Sequence, residues 1–300
     1  MFSFDHKFKN TAHWTVISSR LLQQTRYRAA REYHPPLPCP TPPHLYTVHM
    51  QLADLKWPDV KALSPDTPVV FPVAAHEQHG HHMPLHTDSL LLGEIVRRAE
   101  EHVGSDILFA PLQWLGNSHH HMDFPGTMSA EPRTYLDMLT SSLENFIKHG
   151  FKRLVLLNGH GGNMVPGSQV AFELRQKLRD RHDLLLLSTT YWDNGQPTEL
   201  RDDFVQTQMG HAGEWETSMM LVIRPELVGD YTAAPEVPFG NAFPTATRGW
   251  IMPDRSDRGH IGSPAAATTE KGETLLNCFN KGVCEFLNRV RDWDGSSWHG

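Results

Sequence analysis

Short apolar runs alternate with amphipathic stretches through most of the chain, and this alternation constrains the fold more than any other feature. Four apolar runs are typical of buried strands: residues 69–73, 107–112, 153–157 and 184–188. Apolar spacings of three and four predict helices at 90–103, 134–148, 165–178 and about 270–290. Strand and helix in turn predict an α/β fold, in which helices cover both faces of a mostly parallel sheet.

Composition narrows the class of protein. The chain has 300 residues, 39% of them hydrophobic and 20% charged, which suits one large globular domain. A net charge of −7 argues against nucleic-acid binding. No apolar run approaches the roughly 18 residues that a membrane span needs. Three cysteines form no CxxC pair, so we expect a reducing, cytoplasmic setting without a disulfide framework.

Residues 1–49 differ from the rest of the chain. They carry six Lys or Arg against two acidic residues, and a proline-rich stretch occupies positions 34–43. This composition indicates a disordered extension, or translated sequence upstream of a start near Met50. A transit peptide is a weaker interpretation of the same excess of basic residues. We expect residues 50–300 to form the functional domain.

A histidine-rich segment follows the first predicted strand. Residues 71–88 hold five histidines, Glu77 and Asp88. Glu77 and His79 are two apart and would point to one side of extended backbone. Imidazole and carboxylate groups together are typical ligands of zinc, manganese or iron(II). A solvated loop and, for Asp88, an ordinary helix N-cap are the alternatives.

Two further segments carry similar chemistry. Asn158-Gly159-His160-Gly161-Gly162-Asn163 lies between a strand and a helix, and it fits a ligand loop better than a dinucleotide fingerprint because Met164 replaces the third glycine. The second segment, residues 210–221, begins a helix and contains His211, Glu214 and Glu216. The two glutamates are about 200° apart on a helix, so both cannot face one metal. We assign Glu214 as the ligand, with the helix dipole as the alternative role.

Three consecutive histidines occur in residues 116–127, and they cannot all point inward. We name Ser118, His120 and His121 as candidate substrate-binding residues. The chain contains no Gly-x-Ser-x-Gly elbow, which disfavours a serine hydrolase, and no cysteine lies beside a histidine motif.

Four ordered motifs together resemble the creatininase (creatinine amidohydrolase) family over about residues 50–290. They are Glu77-Gln78-His79-Gly80 with Pro84-Leu85-His86-Thr87-Asp88, then Phe124-Pro125-Gly126-Thr127, then the 158–163 loop, then His211-Ala212-Gly213-Glu214 with Glu216-Thr217-Ser218. The resemblance implies a three-layer α/β/α fold, two divalent ions (Zn, Mn or Fe) and a homo-oligomer, which in this family can be a hexamer. It also implies a small-molecule amide substrate, with neither nucleic acid nor membrane as a partner.

Carried over to this chain, the resemblance assigns five metal ligands and one proton carrier. Glu77 and His160 would bind one ion, His79 and Glu214 the other, and Asp88 would bridge them. His211 would transfer the proton during hydrolysis of a small, cyclic amide or formamide C–N bond by a water molecule activated between the ions.

One position departs from creatininase itself, which has a glutamate where this chain has Gly162. This departure favours relatives that act on formamides of pyrimidine precursors or on peptide-like amides over those that act on creatinine. The main alternative to an amidohydrolase is a non-catalytic metal-binding protein with the same fold. A peptide-cleaving member of the family and a dehydrogenase are weaker alternatives.

Overall fold

Four parallel strands form the central sheet of the computed structural model, which describes residues 50–299. The predicted disorder of residues 1–49 lies outside the described residues. The strands are β1 (Val69–Val73), β2 (Leu108–Phe109), β3 (Arg153–Asn158) and β4 (Leu185–Thr190), and they are ordered β2-β1-β3-β4. All pairings are parallel, with Val69 opposite both Leu108 and Leu154.

Six helices accompany the strands in the described part of the chain. They are α1 (Trp57–Ala62), α2 (Thr87–Val103), α3 (Pro132–Lys148), α4 (Met164–Lys177), α5 (Glu214–Ile223) and α6 (Thr269–Asp292). Every predicted strand and helix is present, although β2 is shorter than the apolar run 107–112. Within residues 50–299 no helix is long and apolar enough to cross a membrane.

Two apolar clusters hold the helices against the two faces of the sheet. Alternate residues of β3 point to opposite sides: Val155 and Leu157 join α2, α5 and α6, while Leu154 and Leu156 join α3 and α4. All six residues of β3 are buried, as expected for a central strand covered on both faces. The predicted three-layer α/β/α architecture is therefore confirmed.

The carboxyl ends of the strands place the polar loops together. The histidine-rich segment follows β1, the 158–163 loop follows β3, and the segment with three histidines follows β2. In a parallel sheet these ends share one edge, which is the usual ligand crevice. Helix α2 begins at Thr87 after the N-cap His86, so Asp88 lies inside the first turn and the N-cap alternative for it is excluded.

The loop after β1 is also packed against helix α5. The His82 ring is buried, and its Nε2 lies 3.1 Å from the hydroxyl of Thr217 in α5. The carbonyl oxygen of His82 accepts a hydrogen bond from Gly229 at 2.7 Å. Burial and the neighbouring His260, whose ring centroid is 6.3 Å away, lower the pKa of His82 to about 4.

We expect His82 to make the fold sensitive to acid. Its pKa in the folded chain, about 4, lies below the unfolded value of 6.5, so the unfolded chain binds more protons between these values. The stabilising contribution is present above pH 6.5 and is lost as the pH falls toward 4. Urea unfolding at pH 7.5 and pH 5 should show that His82→Gln removes about 2 kcal/mol of the acid destabilisation. An unchanged pH dependence in this variant would contradict the assignment.

Candidate metal centre

Five acidic and histidine side chains meet at the carboxyl edge of the sheet, and none is more than 4% exposed. Three come from the strand loops and two from the first turns of helices α2 and α5. They are Glu77, His79, His160, Asp88 and Glu216. Burial to this degree excludes the solvated-loop alternative for the histidine-rich segment.

The His79 ring is fixed by a backbone carbonyl on one side and faces two carboxylates on the other. Its Nδ1 donates to the carbonyl oxygen of Glu77 at 3.1 Å, which leaves Nε2 unprotonated in the neutral ring. Nε2 lies 3.1 Å from Asp88 Oδ1 and 3.8 Å from Glu216 Oε1. A backbone-anchored imidazole with its free nitrogen among carboxylates is the usual arrangement of a metal-binding histidine.

His160 repeats this arrangement on the other side of Asp88. Its Nε2 donates to the carbonyl oxygen of Asn117 at 3.1 Å. Its Nδ1 lies 3.1 Å from Asp88 Oδ2 and 3.4 Å from Glu77 Oε1. The side chain of Asn158 holds the His160 backbone at both its N–H and its carbonyl group, which fixes the loop.

Several carboxylate oxygens in this cluster lack a hydrogen-bond donor. Within the described residues, both oxygens of Glu77 and Oδ2 of Asp88 are buried and accept no hydrogen bond. Buried carboxylate oxygens without donors are costly unless a cation balances them. Ligand atoms of Glu77, His79 and Asp88 all lie within 4.8 Å of one another, as do those of His79, His211 and Glu216. The donor set therefore fits divalent metal ions.

The electrostatics of the cluster favour positive charge. Burial opposes protonation of His160, but Glu77 and Asp88 outweigh it and raise its pKa to about 9. The pKa of His79 is likewise raised, against the effect of burial, by Asp88 and Glu216. Burial raises the pKa of Glu77 to about 7. The potential that attracts protons here would equally attract a cation.

His211 lies beside these residues but is held differently. Its Nε2 donates to the carbonyl oxygen of Gln78 at 2.7 Å, and its Nδ1 lies 3.5 Å from Glu77 Oε1. The ring contacts those of His79 and His121, with centroids 4.3 Å away in both cases. Burial, His121 and His79 lower the pKa of His211 well below its ordinary value, so the neutral ring presents a free Nδ1 to the cluster.

The three consecutive histidines point in different directions, as the short turn that contains them requires. His119 is exposed and contacts Ser129 and Glu131, whereas His120 and His121 face the cleft. His120 stacks on His160 at 5.7 Å, and His121 Nε2 lies 3.3 Å from Glu77 Oε1.

The third candidate of this segment, Ser118, is fully buried, with its hydroxyl 3.4 Å from His160 Nε2. The structure thus brings Ser118, His120 and His121 to the cluster. The imidazole nitrogens of His120 and His121 also lie close enough to Glu77 to take part in holding an ion.

Glu214 is not part of the cluster, which corrects our assignment of that residue as a metal ligand. Its Oε1 lies 2.5 Å from the buried Lys271 Nζ, and its two oxygens accept hydrogen bonds from the backbone of Val205 and Gln206 at 3.2 and 2.7 Å. Helix α5 begins at Glu214, and this first residue points away from the cleft. Glu214 therefore ties the loop before α5 to α6.

Glu216 occupies the place expected for Glu214. Its Oε2 accepts a hydrogen bond from Ala212 N at 2.5 Å, and its Oε1 faces His79. Ala212 adopts φ 50°, a left-handed conformation that turns the chain between His211 and the helix. The opposite directions of the two glutamates were expected, but the choice between them was wrong. The sequence signal was Lys271, because a lysine on a buried helix face needs a carboxylate.

Two further features of the site were not recognised in the sequence. The side-chain amide of Gln78 donates to His121 Nδ1 at 2.7 Å and so orients that ring. At Gly162 a side chain would collide with the carbonyl oxygen of Asn117 and with His160, so no glutamate fits at this position of the loop.

The buried ion pair of Lys271 and Glu214 should be a large contributor to stability. Lys271→Met leaves a buried carboxylate without its counter-charge, so we expect a loss of about 3–5 kcal/mol in the free energy of unfolding. The double variant Lys271→Met/Glu214→Gln should recover part of this loss. Urea denaturation of the three proteins gives the coupling energy, and additive losses would show that the two side chains do not interact.

Comparisons with known proteins agree with this geometry. A family model described as "Creatinine amidohydrolase" matches residues 53–287. Creatinine amidohydrolase of Pseudomonas putida is 30% identical over 259 residues, which cover 79% of this chain and 95% of that protein. A mycofactocin precursor peptide peptidase of Mycolicibacterium smegmatis is 29% identical over 231 residues, covering 75% of this chain and 85% of the peptidase.

A solved structure supports the same relationship. The structure described as "Creatininase Mn" is 27% identical, covers 80% of this chain and 98% of its own, and superposes with a TM-score of 0.68. A family model spanning most of the chain, a curated relative at 30% identity and a shared fold agree. The chain belongs to the creatininase family of hydrolases.

Proposed function

We propose that this chain is an amidohydrolase that uses two divalent metal ions to cleave the C–N bond of a small amide or formamide. The observation that carries the proposal is the position of Asp88. Its Oδ1 faces His79 Nε2 and its Oδ2 faces His160 Nδ1, both at 3.1 Å. A carboxylate shared in this way between two imidazoles has the arrangement of a bridging ligand.

Each half of the site then has three ligands. Glu77, His160 and Asp88 would hold one ion, and His79, Glu216 and Asp88 would hold the other. Divalent ions at such a site polarise a carbonyl group and make a water molecule nucleophilic near neutral pH. Zinc, manganese and iron all accept this mixture of nitrogen and oxygen ligands.

His211 supplies a proton carrier beside the ions. Its Nε2–H is held by the Gln78 carbonyl oxygen, so proton exchange takes place at Nδ1, which faces Glu77. A neutral imidazole at this position can accept a proton from the nucleophile and pass it to the leaving nitrogen. A non-catalytic metal-binding protein has no need for such a group, which favours the enzyme over this alternative.

The remaining polar residues are suited to holding the substrate. Ser118 and His120 line the His160 side of the cluster, and His121 lies against His211. The pKa of His120 is lowered to about 4 by burial and by His160, so the ring is neutral and can bind an amide through hydrogen bonds. We assign these three residues to substrate binding.

Metal analysis of the purified full chain, followed by assays of creatinine, other cyclic amides, formamides and a short peptide, tests the function directly. We expect about two ions per chain and metal-dependent hydrolysis of a member of the small-amide set, seen as ring opening of a cyclic amide or as release of formate from a formamide. Cleavage of the peptide alone would favour the activity named for the mycobacterial relative. Bound metal without turnover of any substrate would favour the non-catalytic alternative.

Asp88→Asn should lower the metal content from about two toward one or none and abolish turnover. A neutral amide cannot balance two cations, and only one of its two atoms accepts a metal. Elemental analysis after dialysis measures the content. Two ions with normal rates would rule out the bridging role.

Glu216→Gln and Glu214→Gln form a matched pair on the same helix. We expect Glu216→Gln to lose one ion, because the Glu216 carboxylate would bind that ion together with His79 and Asp88. Glu214→Gln should keep both ions, since its carboxylate binds Lys271, and should lose thermal stability instead. The opposite pattern of metal contents would exchange the roles of the two glutamates.

His211→Asn should retain both ions and lose roughly 10²–10⁴-fold in kcat, the usual contribution of a positioned general acid–base. The loss should be smaller for substrates with a better leaving nitrogen, which needs less protonation. Steady-state kinetics on a leaving-group series measures this trend. Loss of metal from His211→Asn would identify the residue as a ligand.

A further inference from the structure

A side pocket opens from the cleft that contains the metal centre. The cleft has a volume of about 1130 Å³, and the adjoining pocket has about 210 Å³. The long segment 229–265 forms most of the outer wall. Five polar or aromatic residues of this segment line both cavities: Asn241, Thr247, Arg248, Trp250 and Arg255.

Two arginines give this side pocket its charge. Within residues 50–299, neither Arg248 nor Arg255 forms an ion pair with a carboxylate. Arg255 donates one long hydrogen bond, 3.3 Å, to the carbonyl oxygen of Pro238, and most of its donors remain available. Asp254 also lines the pocket, but its carboxylate accepts a hydrogen bond from Ile251 N at 3.1 Å. The pocket lining therefore carries two guanidinium groups against one carboxylate, and neither guanidinium is paired with that carboxylate.

A row of rings connects one of these arginines, Arg255, to the candidate metal centre. The Arg255 guanidinium lies 5.8 Å from the Trp250 ring centroid, and Trp250 meets the His120 ring edge-on at 5.0 Å. His120 in turn stacks on His160. This cation–π contact restricts the motion of the guanidinium, so that less freedom is lost when it binds an anion. One tryptophan and one histidine ring thus lie between Arg255 and His160, a proposed metal ligand.

We propose that the side pocket is a subsite for a carboxylate, and that the substrate of this chain is a small amide with a carboxylate remote from the bond that is cleaved. Guanidinium groups bind carboxylates through paired, charge-assisted hydrogen bonds. A neutral cyclic amide would leave both arginines without a partner. Trp250 and the apolar wall residues Phe239 and Met164 would contact the segment between the amide and the carboxylate. The inference rests on the proposed amidohydrolase function and adds the class of substrate.

Kinetics on a matched series tests the subsite in the metal-loaded full chain. The series is 4-formamidobutanoate, its neutral methyl ketone counterpart N-(4-oxopentyl)formamide, and 3-formamidopropylphosphonate. We expect the carboxylate to have the lowest KM. In Arg248→Gln/Arg255→Gln its KM should rise about 10–100-fold with little change in kcat, the range for losing charge-assisted hydrogen bonds, while the neutral compound is unaffected.

Arg258→Gln is the matched control. Arg258 is exposed in the same segment and does not line either cavity, so this variant should behave as the unaltered chain. Equal KM values for the charged and neutral compounds, or an equal rise for both in the double variant, would overturn the proposal. Preference for the phosphonate would also overturn it, because the subsite would then belong to a phosphorylated substrate.

A binding measurement separates failure of the subsite from failure of the proposed function. Pentanoate has one carboxylate and glutarate two, so calorimetric titration of the metal-loaded chain compares them without turnover. We expect glutarate to bind about tenfold more tightly than pentanoate, and this advantage to disappear in the double arginine variant but not in Arg258→Gln. If none of the formamides is cleaved, the proposed function fails. Equal affinities for glutarate and pentanoate would then overturn the subsite as well, whereas tighter binding of glutarate that is lost in the double arginine variant would support it.

Discussion

Buried negative charge at the edge of the sheet is the constraint on which the rest of this structure depends. The buried carboxylates of Glu77, Asp88 and Glu216 lie around His79, and several of their oxygens have no donor in the described chain. Desolvation makes such an arrangement costly without cations, so the site and its metal ions would be thermodynamically linked. Folding around these ions would turn an unfavourable cluster into a reactive centre.

The surrounding backbone orients the imidazole rings of the site. The backbone carbonyl oxygens of Glu77, Asn117 and Gln78 each accept a hydrogen bond from one imidazole N–H. The opposite ring nitrogens of His79, His160 and His211 are therefore directed at the carboxylates. Rigid strands carry the loops that provide these carbonyls. The sheet therefore determines the tautomers as well as the positions of the ring nitrogens, and catalysis by positioned groups requires both.

The outer wall of the cleft is formed by an irregular segment rather than by strands and helices. Residues 229–251 are mostly exposed and contain no long helix or strand, yet the segment returns to pair with His211 through Ile261, with backbone hydrogen bonds of 2.9 and 2.7 Å. One end of the segment thus touches the reactive centre while its tryptophan and arginines form the wall. Loops of this kind can change substrate preference without disturbing the metal ligands.

The sequence by itself determined the architecture and most of the centre. Alternation of apolar runs specified the parallel sheet, because buried strands and amphipathic helices differ in period, and residues that follow strands had to meet at one edge. Periodicity also placed Glu214 and Glu216 on opposite sides of α5. Only the tertiary structure decided which side faced the metal centre, since that depends on Lys271, 57 residues from Glu214 along the chain. The side pocket of Arg248 and Arg255 likewise exists only in the folded chain, because nothing local brings an irregular segment against His120.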